Sequence, residues 1–195
     1  MMTLWQWRSQ TPFFREAAPL QVYGSVPGFT FTERSAKAVD SADLAGKVWI
    51  AGLIFTRCAG PCPMITARMK QIQEEWKKEP DFRLVSFTVD PEYDTPEVLK
   101  AYADGYQADP ERWLFLTGEK EEIFELSQKY FHLGVAEAQE GEESGMAQGV
   151  LHSTQLVLVD RRSRIRGYYD SQDPSRLKQL NRDLQRLLAD SNPRE

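Results

Sequence analysis

Residues 47–56 (Lys-Val-Trp-Ile-Ala-Gly-Leu-Ile-Phe-Thr) are almost continuously apolar, the pattern of a parallel strand covered on both faces, and they predict a central strand. Upstream, residues 28–32 alternate apolar with polar side chains and read as a short half-buried strand, joined to the central one by a polar connector that reaches Gly46. Downstream the period changes. Ile65, Met69, Ile72 and Trp76 recur at helical spacing with Lys and Glu opposite, predicting an amphipathic helix over 63–78. A second buried strand is expected at 82–89. Thr95 followed by Pro96 suits an N-cap and first helical position, and Val98, Leu99 and Tyr102 supply that helix's inward face. A short apolar stretch at 113–116 precedes a helix over 119–131. Its apolar positions are Ile123, Phe124, Leu126 and Tyr130, and its acidic start suits the helix dipole. Residues 155–160 and 165–169 read as two strands joined by a basic turn. Asp173-Pro174 then opens a last helix with Leu177, Leu180, Leu184 and Leu187 inward.

This succession implies an α/β fold: a mixed central sheet flanked by helices. The 195 residues suit one domain with a sizeable core. Residues 1–26 mix Trp, Pro and charge without a period and read as an irregular N-terminal arm; 27–190 form the domain, and 191–195 a disordered tail. Residues 136–149, rich in Glu, Gly, Gln and Ala, predict a mobile surface loop.

Hydrophobic residues at 41% and charged residues at 27% describe a globular chain, neither disordered nor membrane-embedded. With 24 Lys+Arg against 29 Asp+Glu, the net charge of -5 repels phosphate, so no nucleic-acid role is expected. The basic run Arg161, Arg162, Arg164 and Arg166 reads as a solvated turn between strands. No apolar run of about 18 residues spans a bilayer, and the first eight residues lack the basic, apolar and small-residue succession of a signal peptide.

The candidate chemistry lies between the central strand and the first helix, in Cys58-Ala59-Gly60-Pro61-Cys62-Pro63. Open α/β sheets carry ligands and reactive groups at such strand ends. Two cysteines four apart close too small a loop to act as a general staple, which argues for chemistry. Because proline disfavours helical geometry in the residue before it, the helix is expected to start at Pro63 with Cys62 as its N-cap. There, free N–H groups and the positive helix end would lower the thiol's pKa. The pair could close a disulfide or hold a metal between its sulfurs. Two thiolates suit Cu(I), and an added imidazole accommodates Cu(II); two Cys with one His also fit an open zinc site. Only two histidines exist. His132, in Tyr-Phe-His-Leu-Gly, reads as a helix-end residue, whereas His152 stands just ahead of the 155–160 strand.

Three ordered motifs together resemble the Sco/SenC family: Phe55-Thr56-Arg57-Cys58-Ala59-Gly60-Pro61-Cys62-Pro63, then Thr88-Val89-Asp90-Pro91-Glu92-Tyr93-Asp94-Thr95-Pro96, then His152-Ser153 before Leu156-Val157-Leu158-Val159-Asp160. The similarity runs from about Pro27 to the last helix. It implies a thioredoxin-like fold with extra N-terminal strands, and one copper ion per chain held by Cys58, Cys62 and His152. It further implies a role as copper chaperone, thiol reductase or both in assembling the copper centre of cytochrome c oxidase. The expected partner is that enzyme's copper-bearing subunit or another copper or thiol protein. The resemblance also implies an extracytoplasmic, periplasmic-side and membrane-associated address. Where family members often carry Asp between the cysteines, this loop has uncharged Ala59, Gly60 and Pro61. Asp90 matches a family motif position and also reads as a turn cap before Pro91. The principal alternative is a thiol:disulfide oxidoreductase with no copper-delivery role, with Cys58 and Cys62 as its catalytic pair. A peroxide-reducing enzyme would have only Arg57 to support its thiolate, and a pure interaction domain would not need the cysteines.

Overall fold

The apolar run at 47–56 becomes an inner strand of an eight-stranded mixed sheet. The computed structural model describes residues 19–133, 136–137, 150–151 and 153–190, with the backbone alone at 136–137 and 150–151. In chain order the strands are β1 (Gly24–Ser25), β2 (Thr30–Glu33), β3 (Ala38–Asp40), β4 (Val48–Ile54), β5 (Phe82–Thr88), β6 (Trp113–Thr117), β7 (Ala136–Glu137), β8 (Val150–Leu151), β9 (Gln155–Val159) and β10 (Arg164–Asp170). The helices are α1 (Cys62–Glu75), α2 (Pro96–Gly105), α3 (Lys120–Glu125) and α4 (Pro174–Ala189). The main sheet runs β1-β10-β9-β4-β5-β6-β2-β3, and β7 pairs with β8 apart from it. This is the expected α/β arrangement, thioredoxin-like with additional strands at its N-terminal side.

All seven residues of β4 are buried. It runs parallel to β5, from Val48 opposite Phe82 to Ile54 opposite Thr88, and antiparallel to β9, with Ala51 opposite Val157. The C-terminal ends of β4 and β5 therefore share one edge of the sheet with the N-terminal end of β9. Helix α1 turns Cys62, Ile65, Met69 and Ile72 into the core. It lies so close to the sheet that a Cβ on Gly52 would meet the Met69 sulfur at 2.9 Å. Helix α4 buries Leu180, Leu184 and Leu187, and its Asp183 accepts a 2.9 Å hydrogen bond from the Tyr169 hydroxyl of β10.

Several local expectations change. The connector after β2 holds β3 and a short 3-10 turn, Ser41–Leu44, capped by the Asp40 carboxylate on the Ala42 N–H at 2.8 Å. Gly24 and Ser25, inside the stretch expected to be irregular, pair with Ile165 and Arg164; residues 1–18 lie outside the described residues. The helix expected over 119–131 is α-helical only to Glu125 and widens into a π turn at Leu126–Tyr130. There the Ser127 hydroxyl bonds back to the Ile123 carbonyl at 2.7 Å, a contact that bends helices. Phe131 at the end of the turn is buried against Trp49 and Phe87. Ala136 and Glu137 pair with Leu151 and Val150 where a mobile loop was expected; residues 138–149 lie outside the described residues.

The basic turn before β10 is ordered by one acid. Asp160, 5% exposed, accepts from the backbone N–H groups of Arg162 and Arg164 and from both guanidinium groups of Arg164 and Arg166, at 2.8 and 2.7 Å. Burial pushes its pKa up, but these hydrogen bonds outweigh burial and hold it below the usual carboxylate value. The run is therefore partly neutralised from within, and its Arg166 is itself buried. Removing Asp160 would strand that cation, and leaving half of a buried ion pair unpaired costs about 3 kcal/mol or more. Asp160→Ala should lower the urea-unfolding free energy by about that amount, whereas a change below about 1 kcal/mol would mean that Arg166 finds solvent instead.

Candidate metal and thiol centre

The chain leaves β4 at its buried end, and Thr56 is its first hydroxyl-bearing residue there. Cys58 follows on the loop to α1 and Cys62 opens the helix, and both are free thiols. Cys58 is 9% exposed and Cys62 fully buried. The Cys58 N–H donates to the Phe55 carbonyl at 3.3 Å, and its sulfur accepts from the Gly60 N–H at 3.3 Å. The Cys62 thiol is hydrogen-bonded with Cys58 and with the Phe55 backbone. The two sulfurs thus sit together just beneath the surface, at the edge where β4 and β5 end.

The expectation for Cys62 is overturned in two respects. Pro61, not Cys62, is the cap, and Cys62 is the first helical residue, with Pro63 placed where a missing N–H costs nothing. The Pro61 carbonyl takes the Met64 and Ile65 N–H groups at 3.0 Å each, so these donors do not serve the sulfur. Burial pushes the Cys62 thiol up, and its hydrogen bond to Cys58 adds to this; the Phe55 backbone opposes it, and the Cys58 and Asp94 charges add a little more. The helix end does not make Cys62 a ready thiolate, because desolvation of the sulfur outweighs the dipole.

The segment after β5 closes over the cysteine loop. Asp90 pairs with Arg57 at 2.6 and 3.1 Å, and the guanidinium lies over the Tyr93 ring, 4.1 Å from its centre. Arg57 is thus engaged with Asp90 and Tyr93, which weakens the peroxide-reducing alternative. The Asp90 side chain faces Arg57, while its backbone carbonyl accepts from the Tyr93 and Asp94 N–H groups. Behind this pair lies Asp94, which is fully buried and takes hydrogen bonds from Thr56 and Thr88. Burial pushes its carboxyl up while those hydrogen bonds pull it down, and burial prevails. Asp94 falls inside the second motif of the sequence, where only Asp90 has a reading of its own. On the helix side, the Thr66 hydroxyl donates to the Cys62 carbonyl at 2.9 Å, so the Tyr102 hydroxyl, 2.8 Å away, donates to Thr66.

His152 lies outside the described residues. Its neighbour Ser153 accepts from the Gln155 N–H at 3.2 Å where β9 begins, at the sheet edge from which the cysteine loop departs. His132 is exposed with φ of 51° just beyond the π turn, as befits a residue that ends a helix. Among the described residues no group of three or more His, Cys, Asp or Glu forms a metal-binding cluster. A cavity of about 460 Å³ opens between β2 and the π turn, lined by Phe29, Phe31, Leu126 and Tyr130 among others. It shares no residue with the cysteine loop.

Residues 19–189 match the family described as SCO1/SenC. A Bacillus subtilis (strain 168) protein described as an SCO1 protein homolog is 40% identical over 136 residues, covering 69% of this chain and 67% of that one. A Stutzerimonas stutzeri protein named for copper binding is 30% identical over 166 residues, covering 84% and 77%. Among solved structures, a SCO1/SenC family lipoprotein from Bacillus anthracis str. Ames superposes with a TM-score of 0.75 at 34% identity, over 88% of this chain and 98% of that one. BsSco, described as having a disulfide switch and belonging to the Sco family of cytochrome c oxidase assembly proteins, superposes with a TM-score of 0.72 at 31% identity, over 89% and 99%.

The raised thiol has a consequence for stability. Since Cys62 ionises less readily in the folded chain than at its ordinary value of 9.0, its contribution is complete below that pH and is lost as pH rises above it. The melting temperature of reduced, metal-free protein should fall from about pH 8.5 upward. Cys62→Ser, whose hydroxyl does not ionise, should show a flatter alkaline limb in the same calorimetric series. Parallel profiles would mean that the buried sulfur ionises as easily as an exposed one.

Proposed function

The chain belongs to the SCO1/SenC family, and from that premise we propose that it carries one copper ion on Cys58, Cys62 and His152 for the assembly of the copper centre of cytochrome c oxidase. The observation that carries this reading is the juxtaposition of two free, buried thiols. Two sulfurs are a soft donor set that favours Cu(I), and imidazole extends it to Cu(II). Metal ligation requires deprotonated sulfur, so binding releases thiol protons. A buried thiol that resists ionisation on its own is stabilised as thiolate once a cation neutralises it. His152 precedes Ser153 at the edge shared with the cysteine loop, which supports it as the third ligand. Copper is cargo here: it leaves by exchanging Cys58 and Cys62 for the thiols of a receiving protein, the copper-bearing oxidase subunit in this reading. BsSco is described within a family of oxidase assembly proteins, and the Stutzerimonas relative is named for copper.

A second reading, thiol:disulfide exchange at the same pair, is favoured by the hydrogen bond between the cysteines. Oxidation would join the two sulfurs and pass two electrons and two protons to a partner's disulfide, reducing it to two thiols. The two readings are compatible, because forming that disulfide removes both sulfur ligands. The chain's work is assigned to the extracytoplasmic side of the membrane, in keeping with the lipoprotein relative; among the described residues no helix is long and apolar enough to cross a bilayer.

Anaerobic titration of fully reduced protein with Cu(I) and with Cu(II) tests the copper reading. One equivalent should bind, with a thiolate-to-Cu(II) absorption band that is lost or displaced in His152→Ala and absent in Cys58→Ser. Verified dithiol protein that binds no copper specifically would sink the reading and leave thiol–disulfide exchange as the function.

A further inference from the structure

Asp94 is fully buried beside the thiol pair, and neither the copper ligands nor the thiol chemistry uses it. Its two oxygens collect donors from the ends of two strands. The Thr56 N–H reaches both, at 3.1 and 3.4 Å; the Thr56 hydroxyl bonds to Oδ1; and the Thr88 hydroxyl bonds to Oδ2 at 2.5 Å. Thr88 Oγ1 also accepts the Asp90 N–H at 3.0 Å, which leaves its own proton for Asp94. Both oxygens are therefore acceptors, a demand that a carboxylate meets and an amide meets on one side only.

The position of these donors gives the contact its meaning. Thr56 stands two residues before Cys58, at the point where the chain leaves β4. The next residue, Arg57, is held by the same 88–95 segment from outside, through Asp90 and Tyr93. Residues 56 and 57 are thus gripped in an inner layer and an outer layer. The loop between them and α1 carries Cys58, and Cys62 opens the helix directly after it. An apolar side chain could fill the same space without the cost of burying a carboxylate, but it would not direct the Thr56 N–H.

We propose that Asp94 is a positioning residue for the cysteine loop: by accepting from Thr56 it fixes how the chain leaves β4, and so sets the spacing of Cys58 and Cys62. A disulfide tolerates only a narrow range of Cα separations, and two-sulfur ligation likewise needs both sulfurs at one point. The inference rests on the two cysteines acting as a pair and deepens the proposed function without requiring copper.

The test is therefore made on metal-free protein, by equilibration with glutathione: the dithiol and glutathione disulfide give the protein disulfide and two glutathione thiols. Held sulfurs favour the intramolecular disulfide. Asp94→Ala should shift this equilibrium toward the dithiol by about tenfold, the scale of leaving a buried donor unpaired. Asp94→Asn should give a smaller shift in the same direction, and Thr88→Val one of about threefold, since the Thr56 contacts survive in it. Thr56→Ser keeps both donors and should restore the equilibrium that Thr56→Gly loses. A folded Asp94→Ala protein whose glutathione equilibrium stays within about twofold of the parent would overturn the proposal. Should that variant not fold, Asp94→Asn and Thr88→Val decide in the same way: shifts toward the dithiol support it, and parental equilibria in both overturn it. Copper titration of the unsubstituted protein separates the two claims. A chain that binds no copper, yet shows these shifts, would lose the copper reading and keep Asp94's role.

Discussion

A strand covered on both faces has no inexpensive place along its length for an ionisable side chain. Strand β4 obeys this constraint over all seven of its residues, and β5 nearly so. Chemistry is therefore displaced to the first residues beyond their ends. Because β4 and β5 are parallel, their ends coincide; because β9 is antiparallel to β4, its beginning coincides with them. Three chain segments that are distant in sequence are brought to one edge by hydrophobic burial and strand direction, before any specific polar contact is made. The cysteine loop, the 88–95 segment and the approach to β9 are those three segments.

The elements legible in the sequence were those in which one physical signal runs uninterrupted. The apolar runs at β4, β5 and β9 and the Thr95-Pro96 and Asp173-Pro174 starts of α2 and α4 are of this kind. So are the cysteines, whose spacing and flanking prolines already mark a strand-to-helix turn. Short elements were not legible: β3 spans three residues and offers too little pattern to distinguish from a polar connector. The π turn escaped because five residues of wider winding leave the apolar spacing of an α-helix almost unchanged. Asp94 escaped for a different reason. A carboxylate's environment is set by what surrounds it in space, and its partner Thr56 is 38 residues away.

Cys62 shows how a sound local rule can lose to packing. A helix N-terminus does favour thiolate, yet that benefit is limited to what a few backbone dipoles supply, and here the nearest N–H groups bond to the Pro61 carbonyl instead. Removing the sulfur from water opposes ionisation more strongly. Burial thus makes the thiolate harder to form until something replaces the lost hydration. A bound cation would do so directly, which supports the proposed copper reading.

The unequal exposure of the two cysteines carries this one step further. Cys58 is 9% exposed and Cys62 fully buried, so in the proposed exchange a partner's sulfur would meet Cys58 first. Exchange by a soft metal between two proteins proceeds through shared ligands, and the outer sulfur is the one that can be shared without opening the core. The inner sulfur lies behind it at the start of α1, where Thr66 and Tyr102 tie the Cys62 backbone to α2. Under the proposed function, a fixed inner ligand and a less deeply buried outer one would allow metal to be held away from solvent and still be surrendered. The clasp proposed for Asp94, Thr56 and Thr88 would then keep the outer sulfur near the inner one while a partner engages it.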